Sequence, residues 1–298
     1  MKKLILLSTL LLTLNIAKAQ NADSIVVTKE GSWGVNFANV GLSNWAAGGE
    51  NSIALGTVFN TKITRTKGNS KWVNQIDFAL GGAKVGEQSF RKTDDAIILI
   101  SQYTSRINKN LGWGVSGIFR TQLLEGNTFD TDAMGNEVAT KISNFMAPGY
   151  LTVNLGFDFQ PNDIFKVSFA PAAGKFTFVS DDDLAAVGAF GVDLGSNTRA
   201  EFGTNLLATL DLPVMENISF KSTLNFFTGY ETVGEIDTNW ETLLVMKVNK
   251  WFNATFGTQL IYDKDILIDT GDGMPTDAVQ FKHVLNFGLN FKLYDSAN

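Results

Sequence analysis

The chain has 298 residues, no cysteine, 30 acidic and 24 basic residues, and a formal net charge of −6 at pH 7. The lack of cysteine excludes disulfides and thiolate metal sites. The acidic balance argues against nucleic acid as a partner, because binding to phosphates needs clustered Lys and Arg. The 23 Phe against 5 Tyr, with only 5 Pro, are unusual for a soluble protein.

The first 19 residues have the pattern of a secretory signal peptide. Lys2 and Lys3 precede a mostly apolar stretch over 4–16, and the small-residue motif Ala17-Lys18-Ala19 predicts cleavage before Gln20. Beyond residue 20, no apolar run reaches the roughly 20 residues of a membrane helix. A mature chain that crosses a membrane must therefore do so with strands in a closed barrel.

Hydrophobic residues recur with a period of two along almost the whole mature chain. Five apolar residues alternate with Thr, Asn, Gly and Asp across 151–159, and the stretch 281–291 alternates in the same way. Such alternation predicts strands with one face on lipid and one on a polar lumen. A soluble β-sandwich also alternates, but its strands usually have about five or six residues and these are much longer.

The pattern predicts an all-β, closed antiparallel transmembrane β-barrel of about twelve strands. The predicted strands are 33–41, 51–66, 70–85, 95–108, 111–124, 149–160, 164–179, 197–213, 217–232, 238–250, 251–265 and 279–293. The predicted organisation is a signal peptide at 1–19, a periplasmic N-terminal segment at 20–32 and the barrel at 33–298. An even strand number is typical of single-chain bacterial barrels.

The connections alternate in length, which predicts the orientation of the barrel. Short turns rich in Asn, Asp, Gly and Pro lie near 67–69, 108–110, 161–163, 213–216 and 249–250. Longer connections lie between them, at 42–50, 86–94, 125–148, 180–196, 233–237 and 266–278. Because outer-membrane barrels have short periplasmic turns and long outer loops, both termini are expected in the periplasm.

Three tryptophans, Trp72, Trp113 and Trp251, each follow a short turn closely. In a barrel they would lie at the same height, at the periplasmic membrane–water boundary where aromatic girdles occur. The alternative is that strand ends simply favour aromatic residues. We therefore expect a periplasmic-side girdle at these positions.

Several motifs resemble those of the domain-of-unknown-function 3078 family of Gram-negative outer-membrane proteins. They are Leu42-Ser43-Asn44-Trp45-Ala46-Ala47-Gly48-Gly49-Glu50-Asn51-Ser52, Arg91-Lys92-Thr93-Asp94-Asp95, Arg120-Thr121-Gln122, Phe145-Met146-Ala147-Pro148-Gly149-Tyr150, Ala170-Pro171-Ala172-Ala173-Gly174-Lys175, Gly188-Ala189-Phe190-Gly191-Val192 and Leu260-Ile261-Tyr262-Asp263. The resemblance implies the outer membrane of a Gram-negative bacterium and no known activity, so it assigns no functional residue.

The sequence is poorly equipped for catalysis. His283 is the single histidine, and the alternation places it in the lipid-facing register between Phe281 and Leu285. An outer-membrane phospholipase would need a Ser–His pair there, and one histidine builds no three-histidine metal site. We therefore predict that the protein is not an enzyme and has no catalytic, cofactor or metal site.

The predicted outer loops are acidic, with clusters such as Asp181-Asp182-Asp183 and Asp269-Thr270-Gly271-Asp272-Gly273. The last lacks the spacing and the closing Glu of a calcium loop. Solvated surface charge is the simpler interpretation. The alternative is that divalent cations bridge these loops to lipopolysaccharide phosphates. The expected partner is outer-membrane lipid, and protein partners remain open.

Charged residues of both signs fall in the inward register. They are Lys62, Asp77, Arg106, Arg120, Asp158, Lys166, Glu201, Asp211, Lys221, Glu241, Lys247 and Lys282. If they line a wet lumen, the protein is a narrow passive channel for small solutes, with an excess of basic residues that favours anions. If they pair, the lumen closes, and the protein is a structural or interaction barrel in an envelope assembly. The loops at 42–50 and 125–148 would separate the two if either folds inward.

Overall fold

A computed structural model describes residues 24–40, 50–268 and 276–297. Its strands are β1 (Ile25–Val40), β2 (Ser52–Lys67), β3 (Ser70–Val85), β4 (Arg91–Arg106), β5 (Leu111–Thr121), β6 (Gly126–Thr131), β7 (Glu137–Ser143), β8 (Gly149–Phe159), β9 (Phe165–Phe178), β10 (Thr198–Met215), β11 (Ile218–Gly229), β12 (Asp237–Lys247), β13 (Phe252–Tyr262), β14 (Leu267–Ile268), β15 (Thr276–Asp277) and β16 (Gln280–Ala297). Twelve strands close into a barrel in the order β1-β2-β3-β4-β5-β8-β9-β10-β11-β12-β13-β16, and β16 returns to β1. The predicted twelve-stranded antiparallel barrel is confirmed.

The strand boundaries agree closely with the predicted ones except at the N-terminal end. β1 begins at Ile25 and pairs with β2 from Ile25 opposite Lys67 onward. The predicted strand start at residue 33 is therefore wrong, because β1 begins eight residues earlier; the location of 20–32 in the periplasm stays a prediction. Residues 25–32 include the β-branched Ile25, Val26 and Val27, which extend the strand until all of β2 has a partner. The predicted signal peptide and the Gly-rich stretch 41–49 lie outside the described residues.

The two faces of the wall differ as the alternation predicts. On β8, Leu155 and Phe157 are about half exposed on the outside, while Asn154 and Asp158 point inward and are 8% and 7% exposed. At the seam, Trp33 of β1 pairs with Phe291 of β16, and their rings stack at 5.7 Å. Apolar side chains on the outside and polar ones inside are the arrangement of an outer-membrane β-barrel, in which all wall hydrogen bonds are internal.

Two of the three predicted girdle tryptophans, Trp72 and Trp113, lie on either side of Tyr103 on the outer wall. Trp72 of β3 pairs with Tyr103 of β4, and the Tyr103 ring meets that of Trp113 edge-on at 6.1 Å. Trp251 is exposed in the turn before β13. All three lie close to the short turns. None of the helices in the described part of the chain is long and apolar enough to cross a membrane.

The long loops contain small elements that the alternation did not predict. β6 and β7 form a hairpin between β5 and β8, and β14 pairs with β15. A short helix α1 (Asp182–Ala186) and a 3-10 turn (Ala189–Gly191) lie between β9 and β10. A small cluster of apolar side chains holds this loop to the segment before β8, and its buried members are Ala147, Val179, Leu184, Ala185 and Val192. The outer end of the barrel is thus built up by packed loops.

Candidate functional site: the charged lumen

The strand register places every predicted lumen charge on the inner face. Asp77 pairs with Asn60, Arg106 pairs with Gly112 and Lys247 pairs with Asn253. These three pairs lie on the same face of the wall as Asp158 and Glu241. The complete set is Lys62, Asp77, Arg106, Arg120, Asp158, Lys166, Glu201, Asp211, Lys221, Glu241, Lys247 and Lys282. The question is then which of these charges meet.

One ion pair crosses the lumen between nearly opposite walls. Nη2 of Arg120 on β5 lies 2.7 Å from Oε1 of Glu241 on β12. Four barrel strands separate β5 from β12 in one direction and six in the other. The same Glu241 oxygen accepts hydrogen bonds from Asn239 and Gln259. A charge-assisted hydrogen bond held by two further donors fixes this carboxylate across the centre of the barrel.

The most enclosed cation of the lumen is Lys175 on β9. Its Nζ lies 2.6 Å from Asp237, 2.9 Å from Asp263 and 3.7 Å from Glu201. Only 14% of its side chain is exposed, and its Nζ lies 5.7 Å from the centre of the Phe227 ring. Three carboxylates around one enclosed ammonium compensate the cost of removing the charge from water.

A bulge in the wall sets the register of Lys175. The pairing of β9 shifts between Phe169 and Ala172 on the β8 side, and between Ala170 and Ala173 on the β10 side. Pro171 lies in this bulge, where no hydrogen bond between strands requires the N–H that proline lacks. Because the bulge adds one residue to β9, the side chain of Lys175 points into the lumen. It pairs there with Glu201 of β10.

Arg199 closes the mouth above this cluster. Its guanidinium lies 2.6 Å from Asp265, which follows β13, and 3.2 Å from Glu201. It also donates to the carbonyl oxygen of Gly191 in the loop between β9 and β10. This loop therefore meets the β13–β16 connection across the opening, with Arg199 between them.

A further pair, between Lys282 of β16 and Asp94 of β4, spans the lumen in front of β1–β3. Nζ and Oδ1 are 3.3 Å apart, and both side chains are nearly half exposed. Many inward positions on the wall behind this pair hold glycine or alanine, beside larger residues such as Asn36 and Val58. The glycines and alanines are Gly34, Ala38, Ala54, Gly56, Ala79, Gly81, Ala83, Ala96 and Gly288. In the outer half, ion pairs thus occupy the side of the lumen toward β5 and β8–β13, and small residues are concentrated on β1–β3.

The periplasmic half of the lumen is organised around Asp158 on one wall. Its carboxylate accepts hydrogen bonds from Gln102, Thr104 and Ser168, and Nζ of Lys166 is 3.3 Å away. Asp158 and its partners come from β4, β8 and β9, which lie close together in the barrel. This network therefore stiffens a wall without crossing the lumen.

Other charges in the periplasmic half are open to solvent. Lys221 and Asp211 are neighbours on β11 and β10 at 2.9 Å, and their side chains are 54% and 56% exposed. Lys62 and Glu30 are 3.7 Å apart and similarly exposed. Leu243 faces inward between Lys221 and Gly257 and is 39% exposed. This half holds water-accessible space.

The motifs of the family resemblance gather at the outer end of the barrel. Gln122 donates to the carbonyl oxygens of Asn144 and Ala147, and Thr121 donates to that of Pro148. Lys175, Gly191 and Asp263 belong to three further motifs and take part in the contacts described above. The sequence analysis did not place Lys175, Asp237, Asp263 or Arg199 in the lumen. The motif containing Lys175 was the signal available.

Several outer-loop acids form ion pairs, so their interpretation as solvated charge is wrong. Asp237 and Asp263 contact Lys175, and Asp265 contacts Arg199. Asp181, which caps α1, accepts hydrogen bonds from Asn144 and Lys141. These contacts, led by the one from Asn144, lower the pKa of Asp181 to about 2.

His283 lies on the outer wall, in the register of Phe281 and Leu285, with its ring 6.0 Å from that of Phe281. Within the described ranges, the structure brings together no group of three or more His, Asp or Glu side chains suited to hold a metal ion.

Residues 37–127 match a sequence family described as a protein of unknown function (DUF3078). The predicted resemblance is confirmed. The family motifs beyond residue 127 lie outside the matched range. No curated protein matches the chain significantly.

Solved structures similar to the barrel include an outer membrane channel from Pseudomonas putida F1, at 9% identity and a TM-score of 0.40, covering 94% of this chain and 98% of that one. Another is the translocator domain of the autotransporter NalP from Neisseria meningitidis, at 11% identity and a TM-score of 0.36, covering 97% and 93%.

Proposed function

We propose that the protein is a narrow passive channel of the outer membrane for small solutes, constricted at its outer end by ion pairs across the lumen. The supporting observation is the uneven filling of that constriction. Arg120, Glu241 and the Lys175 cluster occupy the side toward β5 and β8–β13, while glycine and alanine hold most inward positions in the outer half of β1–β3. Small side chains on that wall leave room for solutes beside the ion pairs.

The lumen charges that have no oppositely charged partner in the described part of the chain suggest the ion preference of this channel. Among the described residues, Lys71, Arg106 and Lys247 face the lumen without an acidic partner within 4.0 Å. Asp77, by contrast, is hydrogen-bonded by Asn60 and Gln75. Uncompensated cations along a narrow path attract small anions, so a weak anion preference is expected.

Conductance across planar bilayers tests the proposal. Gly56 faces the lumen on β2, and a Cβ there meets nothing closer than 3.7 Å. Gly117 faces outward on β5, and a Cβ there meets nothing within 4 Å. We expect Gly56→Phe to lower the unitary conductance strongly, and Gly117→Phe to leave it unchanged. Equal conductances for the two variants would contradict a path along β1–β3.

A second candidate, a non-conducting structural barrel, is favoured by the number of ion pairs that cross the outer half. The same bilayer experiment separates the two. Heat-modifiable migration shows that the protein is folded. If such folded protein does not conduct, it is a structural barrel and the channel proposal is wrong. A measurable reversal potential in a salt gradient supports the channel and gives the sign of its selectivity.

A further inference from the structure

A pocket of about 710 Å³ lies between the β6–β7 hairpin and the outside of the barrel wall. On the wall side it is lined by Val35, Leu55, Thr57 and Leu80. Val35 pairs with Thr57 and Thr57 with Leu80, in the same register as the outward-facing Trp33 and its partner Phe59. The pocket therefore lies on the outside of the barrel and is separate from the lumen.

The depth of the pocket in the membrane follows from its distance to the tryptophan girdle at the periplasmic boundary. A tilted strand crosses the hydrocarbon core in about ten residues. Counted from Trp72 on β3, the outer boundary of the apolar band then falls near Gly82, which also lines the pocket. Leu80 lies just inside this boundary. The pocket is thus at the level of the outer leaflet.

The hairpin that covers the pocket is held firmly in place. Glu137 at the start of β7 accepts hydrogen bonds from Ser89 and Arg91 beside the top of β4. The Arg91 guanidinium also lies over the Phe129 ring, 4.4 Å from its centre. Phe129 and Ile142 line the hairpin side of the pocket. These contacts fix two apolar side chains of an outer loop opposite the apolar wall.

The charged side chains at the upper edge already have partners. Nζ of Lys92 contacts Asp95 at 3.1 Å, Gln122 at 3.2 Å and the carbonyl oxygen of Leu124 at 2.9 Å. Its three hydrogens are thereby satisfied, and Asp95 balances its charge. The polar side chains that also line the pocket are Thr57, Lys92, Gln122, Glu125, Asn127 and Ser143. Glu125 accepts a hydrogen bond from Asn127. What the wall and the hairpin offer to a ligand is therefore mainly hydrophobic contact.

We propose that this pocket holds one acyl chain of an outer-leaflet lipid. Its volume lies in the range of ligand sites, about 300–1,000 Å³. Its wall side is a direct continuation of the surface that the surrounding lipid covers, so a chain reaches it without crossing water. Hydrophobic burial between two fixed surfaces retains that chain more firmly than the open wall does. The proposal is independent of whether the lumen conducts.

The test uses proteoliposomes that contain a phospholipid with a photoreactive diazirine on its acyl chain. After illumination, mass spectrometry of peptides should show label on the hairpin at Phe129 or Ile142, besides label on the outer wall at Leu155. Leu55→Trp fills the pocket and should reduce hairpin labelling several-fold. Leu212→Trp, an exposed leucine on β10, which lies on the opposite side of the barrel from β2, should leave it unchanged.

Wall labelling at Leu155 and heat-modifiable migration report that both variants are folded and inserted. An unlabelled hairpin in the wild-type protein overturns the proposal, as does equal labelling in Leu55→Trp. A parallel sample receives a free diazirine fatty acid in place of the labelled phospholipid. If only the free acid labels the hairpin, a membrane lipid is not the occupant and the proposal is also wrong.

Discussion

The outer and periplasmic halves of the lumen contain similar charges in different surroundings. In the outer half, Lys175 and Asp263 are 14% and 11% exposed and belong to a network that crosses the barrel. In the periplasmic half, Lys221 and Asp211 form an equally short pair but are more than half exposed. The comparison shows that pairing alone does not close a lumen. What matters is whether the partners come from distant strands and exclude water between them.

The largest expected difference between the halves is in stability. Lys175→Met leaves three carboxylates without their shared cation in an enclosed site, and breaking such a buried pair costs about 3–5 kcal/mol. Lys221→Met breaks an exposed pair, which costs less than about 1 kcal/mol. Denaturant unfolding of the folded protein in lipid vesicles measures both. Similar losses in the two variants would remove the distinction between the halves.

A smaller effect is expected on conductance. Arg120→Ala removes the pair that crosses the centre of the barrel, and the freed space should raise the unitary conductance. Arg106→Ala removes a lumen charge that has no acidic partner within 4.0 Å among the described residues, so it should change the anion preference more than the conductance. Single-channel recordings at fixed salt compare the two. A larger rise for Arg106→Ala would place the constriction elsewhere.

The alternation of the sequence predicted the wall well but the site only in part. Period-two patterning identified all twelve barrel strands and the inward direction of residues such as Arg120 and Glu241, because the side-chain direction along a strand is local information. It did not predict that these two residues meet, since contacts across a lumen depend on barrel closure and strand stagger. Asp263 and Asp265 were included in the predicted strand 251–265, but β13 ends at Tyr262, so both lie in the loop beyond it.

The smallest expected effect concerns the loops over the outer half. The hydrogen bond from Asn144 and the ion pair with Lys141 lower the pKa of Asp181 from 3.8 to about 2. The folded loop therefore gains stability from the ionised carboxylate above about pH 4, and this gain is lost as the pH falls from about 4 to about 2.

Hydrogen exchange of 181–186 should accelerate over that range relative to the barrel strands. In Asp181→Asn this additional acceleration should be absent. If the wild-type loop and the variant respond alike, Asp181 does not hold the loop in the way the structure indicates.

The central claim is that water and small solutes reach the periplasmic half of the lumen freely, whereas paired side chains fill the outer half on the side of β5 and β8–β13. The protein has no cysteine, so a single introduced thiol reports on its own site. Leu243→Cys tests an inward position that is 39% exposed, and Thr177→Cys tests an inward position in the outer half that is 2% exposed. We predict that a small charged methanethiosulfonate reagent modifies Leu243→Cys much faster than Thr177→Cys in folded protein. Equal rates, or faster reaction at Thr177→Cys, would contradict the account.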